Sequence, residues 1–141
     1  MIPPLVEEMR TLCNGQPSND FFGMIQYHMG WLDRSFLPVE IYGGKRIRPL
    51  LTMLACKAAG GDWQDAIPAG AAIELLHNFS LVHDDSEDAC PTRRGRETVW
   101  RIWGEPQAIN TGDGMFAVAH LALGRLAERG VPPATVVQAF K

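Results

Sequence analysis

Cysteine is scarce in this 141-residue chain, and the three present exclude two classes of protein. Cys13, Cys56 and Cys90 are odd in number and lack metal-ligand spacing, so neither a disulfide framework nor a cysteine-built zinc site is expected. Free thiols in the reducing cytoplasm are the simplest account. No run of about twenty apolar residues occurs, so no membrane span is expected. Met1 to Thr11 carries Pro3, Pro4, Glu7 and Glu8 where a signal peptide would need an apolar stretch. Charge of one sign is also lacking. The formal net charge is -3 and the cations are interleaved with acids, which argues against nucleic acid as a partner. Repeats, low-complexity tracts and linkers are missing, so one domain is expected. What is there is an ordinary globular composition, 46% hydrophobic and 21% charged, with enough chain for a core.

Helical patterning runs through almost the whole sequence. Pro4 to Leu12 reads as a short amphipathic start. Asn19 or Asp20 can cap a helix carrying Phe22, Ile25, Met29, Leu32 and Phe36 and ending at Pro38. Pro49 suits the first turn of a helix that stops at Gly60-Gly61. Asp62 caps the next segment, and Pro68 opens a long central helix reaching Asp88. Pro91 to Arg96 reads as a loop and Glu97 to Trp103 as a short helix with Trp100 and Trp103 in the core. Pro106 opens a last long helix. Its segment Met115 to Leu126 is apolar nearly all round, apart from His120 and Arg125, which calls for burial on several sides.

The central helix ends in Asp84-Asp85-Ser86-Glu87-Asp88, four acids within five positions. Asp84 and Asp88 stack one turn apart on a single face. Two like charges held that close invite a hard divalent cation such as Mg²⁺, which takes carboxylate oxygens and completes its shell with phosphate. Asp85 is rotated about 100° from Asp84, so it either shares a metal or braces its ligands. Basic clusters flank the acids: Gly43-Gly44-Lys45-Arg46-Ile47-Arg48-Pro49 upstream and Arg93-Arg94-Gly95-Arg96 downstream. Arginine offers phosphate a planar fork of donors, and lysine a point charge. Acids between two basic clusters suit a site that handles more than one diphosphate. A solvated acidic helix end flanked by solvated loops is the plainer alternative for any one of these motifs alone.

In this order, and with Glu74-Leu75-Leu76-His77 before the acids and Gly104-Glu105-Pro106-Gln107-Ala108-Ile109-Asn110-Thr111-Gly112-Asp113 after them, the motifs resemble the trans-isoprenyl diphosphate synthase (polyprenyl synthetase) family. The resemblance covers roughly residues 35–130. It implies an all-α fold, an antiparallel helical bundle of the isoprenoid synthase type. It also implies a Mg²⁺-dependent, cytoplasmic, homodimeric prenyltransferase that condenses isopentenyl diphosphate with an allylic diphosphate (dimethylallyl, geranyl or farnesyl). Family members are roughly twice as long and carry a second aspartate-rich motif, so the chain is expected to be the amino-terminal part of one such domain, incomplete for catalysis alone.

Carried over residue by residue, the resemblance implies that Lys45, Arg48, His77 and Arg94 hold the diphosphate of isopentenyl diphosphate. Arg93 holds the allylic diphosphate, and Asp84 and Asp88 bind Mg²⁺, with Asp85 beside them. His77 lies seven positions before Asp84, two turns along on nearly the same face, which directs it toward the same cavity. His83 is read as structural, Arg46 and Arg96 as loop-stabilising or solvent-facing, and Gln107 and Asp113 are given no firm role. Phe79 and the small Ser80 sit where the family sets product length, and one aromatic there favours geranylgeranyl over farnesyl diphosphate. The alternative floor is Met115 or Phe116. Two other readings stay open: a half-subunit that binds diphosphates without catalysis, and a relative of the class I terpene cyclases.

Overall fold

Seven α-helices and one minute hairpin make up the computed structural model, which describes residues 1–14, 20–41 and 44–141. Asn19 and Gly43, named above as a cap and as part of the glycine turn, lie outside the described residues. Helix α1 (Ile2–Cys13) starts at consecutive prolines, which fit a first turn because the amides they lack have no helical partner there. Helix α2 spans Asp20–His28. Helix α3 (Ile47–Ala58) ends where Gly60 takes φ +89°. Helix α4 (Ile67–Glu87) has Pro68 in its first turn and Asp88 at its end. The hairpin pairs β1 (Thr92–Arg93) with β2 (Arg96–Glu97). Helices α5 (Val99–Trp103) and α6 (Glu105–Gly124) follow, then a 3₁₀ turn at Arg125–Arg129 and α7 (Pro133–Ala139).

Three expectations need correction. The second helix does not run to Pro38. It ends at His28 because Gly30, at φ +82°, turns the chain so closely against Ile41 that an added Cβ would lie 2.8 Å from its carbonyl oxygen. Residues 29–41 instead return along themselves through a bridge between Leu32 and Pro38. Asp62 is no helix cap: its Oδ1 accepts from the Gln64 amide at 2.9 Å and closes a separate turn before α4. The segment 91–96 is a hairpin, whose two turn residues, Arg94 and Gly95, both have positive φ (52° and 76°), as a two-residue turn of matching twist requires.

The core lies between α4 and α6, with α1, α2 and α3 packed around them. Residues Ala71, Leu75, Asn78, Val82 and Asp85 recur every three or four positions along α4 and form its buried stripe. Helix α6 buries Ala108, Thr111, Met115, Val118, Ala119 and Ala122. Its opposite side is apolar but open, with Phe116 at 45% and Leu121 at 65% exposure, so the expected burial on several sides is met on one side only. Trp100 and Trp103 pack half-buried against the core as expected. Glu8 of α1 pairs with Arg125 at 3.2 Å and Arg129 at 3.8 Å, tying the start of the chain to the end of α6.

Candidate functional site

The stripe pattern of α4 decides what each of its acids can do. Asp85 ends the buried stripe and is 3% exposed. An isolated carboxylate at that depth would be costly, and Arg93 meets it from β1. Arg93 Nε donates to both Asp85 oxygens at 2.9 Å and Nη2 approaches Oδ1 at 2.8 Å. The same pairing raises the Arg93 pKa. Asp84 and Asp88 lie on the neighbouring stripe with His77 and are both exposed. Neither carboxylate has a hydrogen bond or ion pair among the described residues. No group of three acidic, histidine or cysteine side chains converges among the described residues. The donor set is therefore two open carboxylates one turn apart, which fits a Mg²⁺ ion that keeps several waters or takes phosphate oxygens.

The basic segments, fifty residues apart in sequence, meet in space. Gly44 has φ +99°, which favours glycine, and a Cβ placed on it would lie 3.3 Å from Arg94 Nη2, so the two segments touch there. Gly44, Lys45, Arg46, Ile47 and Arg48 from the loop and α3, Glu74 and His77 from α4, and Arg94 from the hairpin surround one cavity of about 100 Å³. All four residues expected to hold isopentenyl diphosphate line it. Asp84 is not among its lining residues. Burial, and then Arg48, lowers the His77 pKa, which favours an uncharged ring able to donate a hydrogen bond at neutral pH. Burial likewise lowers the pKa of Arg94, which remains charged.

The hairpin is clamped from below. Arg96 donates to the carbonyls of Tyr27 at 2.7 Å and Leu32 at 2.8 Å, and its guanidinium stacks 3.8 Å from the Tyr27 ring centre. Tyr27 Oη donates to the Glu97 carbonyl at 2.8 Å. His28 sits beside this clamp in a small cavity of about 30 Å³ shared with Asp85, Arg93, Arg94 and Arg96. An edge of His28 reaches solvent, but its Nε2 is sealed, and Asn78 is the hydrogen-bonding side chain that faces it. Burial, reinforced by Arg94 and Arg93, pulls its pKa down to about 3. His83, read as structural, has Nε2 3.2 Å from the Ile109 carbonyl oxygen and 3.6 Å from Asp113 on α6.

Phe79 packs edge-on against Phe116, with ring centres 5.4 Å apart, and the aromatic row continues to His120 and Phe140. The two alternative floors thus touch each other, whereas Met115 is buried in the core. Ser80 Oγ is turned back onto the His77 carbonyl at 2.8 Å. Sequence reasoning assigned no role to His28 or Glu74. For His28 no local signal exists, since its partners lie fifty or more residues away. For Glu74 the signal was its position three residues before His77.

Against known proteins, residues 31–141 match the model of the family described as Polyprenyl synthetase. The chain is 48% identical over 100 residues to a (2E,6E)-farnesyl diphosphate synthase of Mycobacterium tuberculosis, covering 71% of this chain and 28% of that protein. It is 47% identical over 96 residues to a geranylgeranyl diphosphate synthase of the same organism, covering 68% and 27%. In three dimensions it matches a geranylgeranyl pyrophosphate synthetase of the archaeon Geoglobus acetivorans with TM-score 0.80 and 34% identity, over 96% of this chain and 40% of that one. The synthetase of the same description from Pyrococcus horikoshii gives TM-score 0.79 at 35% identity, over 95% and 37%. The chain thus spans well under half the length of the proteins it matches. Its fold is the all-α isoprenoid synthase arrangement expected from the motifs.

Proposed function

Because this chain belongs to the polyprenyl synthetase family, we propose that it carries the diphosphate-handling part of a prenyltransferase joining an allylic diphosphate to isopentenyl diphosphate. It serves as the amino-terminal part of a single helical domain. The observation that carries this reading is the meeting of the two basic segments at Gly44 and Arg94, which builds one cation-lined cavity beside an open pair of carboxylates. Lys45, Arg48 and Arg94 supply charge for a diphosphate in that cavity, and neutral His77 supplies a directed hydrogen bond. Asp84 and Asp88 are the residues that would hold Mg²⁺, which when bound would stabilise negative charge developing on the departing allylic diphosphate. Arg93, fixed by Asp85, presents its remaining N–H groups beside those acids. Holding both substrates in one geometry removes the entropy cost of bringing them together. A homodimer working in the cytoplasm is part of the same proposal.

The arginines give the test. Arg94→Ala should weaken isopentenyl diphosphate binding by about 2 kcal/mol through loss of a charge-assisted contact. Arg93→Ala should spare that ligand but destabilise the fold by about 3 kcal/mol, because it leaves the buried Asp85 carboxylate unpaired. Calorimetry and urea melts of both variants separate the two roles. Equal effects of the two substitutions on both readouts would show that the arginines do not divide this way.

The Phe79–Phe116 contact supports the reading that these two rings, on α4 and α6, form a floor that stops chain growth at the geranylgeranyl stage. In an elongation assay of a full-length version, Phe79→Ala should lengthen the products, and Phe116→Ala should do so as well. Chromatography showing an unchanged length distribution for both would place the floor elsewhere.

A further inference from the structure

Glu74 is the one member of the cation-lined cavity whose charge is wrong for a diphosphate. It is 3% exposed, yet it faces Lys45, Arg46, Arg48, His77 and Arg94 across about 100 Å³. Its carboxylate accepts from Asn78 Nδ2 at 3.4 Å, and the same amide group donates to the Glu74 carbonyl at 2.8 Å. A buried carboxylate whose hydrogen bond comes from a neutral amide is expensive unless charges nearby compensate it. Here the compensation is the cavity's own cations.

We infer that Glu74 is a built-in counter-charge: it holds the cation cluster together in the ligand-free protein and limits how tightly the cavity grips the diphosphate it receives. This rests on the reading of the cavity as a diphosphate site. Both Arg94 and His77 feel the Glu74 charge through space, which favours their protonated forms. An arriving anion feels the same charge with the opposite sign. Because its hydrogen bond runs to neutral Asn78, the side chain shapes the cavity mainly through that charge, so removing the charge should help the anion more than it disturbs the fit.

The test is calorimetric titration of the whole chain with inorganic pyrophosphate, without metal, using the unmodified protein, E74Q, Glu74→Asp and Arg48→Ala. E74Q should bind roughly tenfold tighter or more, since a unit charge a few ångströms away is worth at least that in a partly dry cavity. Glu74→Asp, which keeps the charge, should stay near the unmodified affinity. Pyrophosphate should also raise the melting temperature of E74Q by more than it raises that of the unmodified chain, a readout that survives a loss of intrinsic stability in the variant. Equal or weaker binding by E74Q, with no larger thermal shift, overturns the inference, because Glu74 then sets no limit on the cavity's grip and is a brace for the cations alone. The diphosphate reading fails separately, by Arg48→Ala binding as well as the unmodified protein, or by neither the unmodified protein nor E74Q binding at all.

Discussion

Exchanging Asp84 and Asp88 together for Ala should erase the Mg²⁺ dependence of allylic diphosphate binding while leaving metal-free binding of isopentenyl diphosphate in place. The two carboxylates are exposed, one turn apart and unpaired among the described residues. A two-carboxylate site binds Mg²⁺ weakly alone and more tightly once phosphate oxygens complete the octahedron. Chelation of the metal from the unmodified chain should therefore have the same effect as the double substitution. The cavity around Lys45, Arg48, His77 and Arg94 does not include these acids, which is why its ligand should be spared. Removing Asp85 is a different experiment, because it leaves Arg93 without its buried partner and costs stability. Calorimetry with and without Mg²⁺ distinguishes the cases. Metal-dependent binding that persists in the double variant would rule out Asp84 and Asp88 as the ligands.

Acid should loosen the fold through His28. Its folded pKa, about 3, lies below the ordinary value of 6.5, so between those pH values the unfolded chain holds a proton that the folded chain excludes. Stability then rises with pH across that window and is unaffected by this group above it. The penalty at the acid end is on the order of 4 kcal/mol. His77, with a smaller downward shift, adds in the same direction. A proton forced onto His28 would sit against Arg93, Arg94 and Arg96, so the hairpin is the part expected to give way first. His28→Gln keeps a polar side chain of similar reach and removes the titration. Urea melts between pH 3 and 7 should show a shallower acid slope for the variant, and parallel slopes for the two proteins would dismiss His28 as the cause.

The helices were legible in sequence because their signals are local. Pro68 at one end of α4, the acids at the other, and the apolar spacing between them fix its limits almost to the residue. The two faces of α4 were legible as well, since Asp84, Asp88 and His77 fall on one stripe by periodicity alone. The early end of α2 was not, because Gly30 turns the chain against Ile41, a contact that propensity does not see. The partner of Asp85 was not legible either. Its pairing with Arg93 depends on a hairpin whose own position is set by Arg96 and Tyr27, some seventy residues apart. Likewise the sequence places three cations on each side of the acids, but only the fold shows Gly44 and Arg94 in contact and Glu74 among the charges.

Two glycines of α6 carry a consequence for which changes this protein can accept. A Cβ at Gly112 would overlap the His83 ring, and one at Gly114 would overlap Phe21. The two positions lie about 200° apart around α6, one toward α4 and one toward α2, and at both the usual rule that alanine improves a helix is opposed by a ring that would have to move. Substitution at either glycine requires His83 or Phe21 to shift, whereas Leu121 of the same helix is 65% exposed. The spacing of α6 from its neighbours α4 and α2 is thereby held where these two contacts set it.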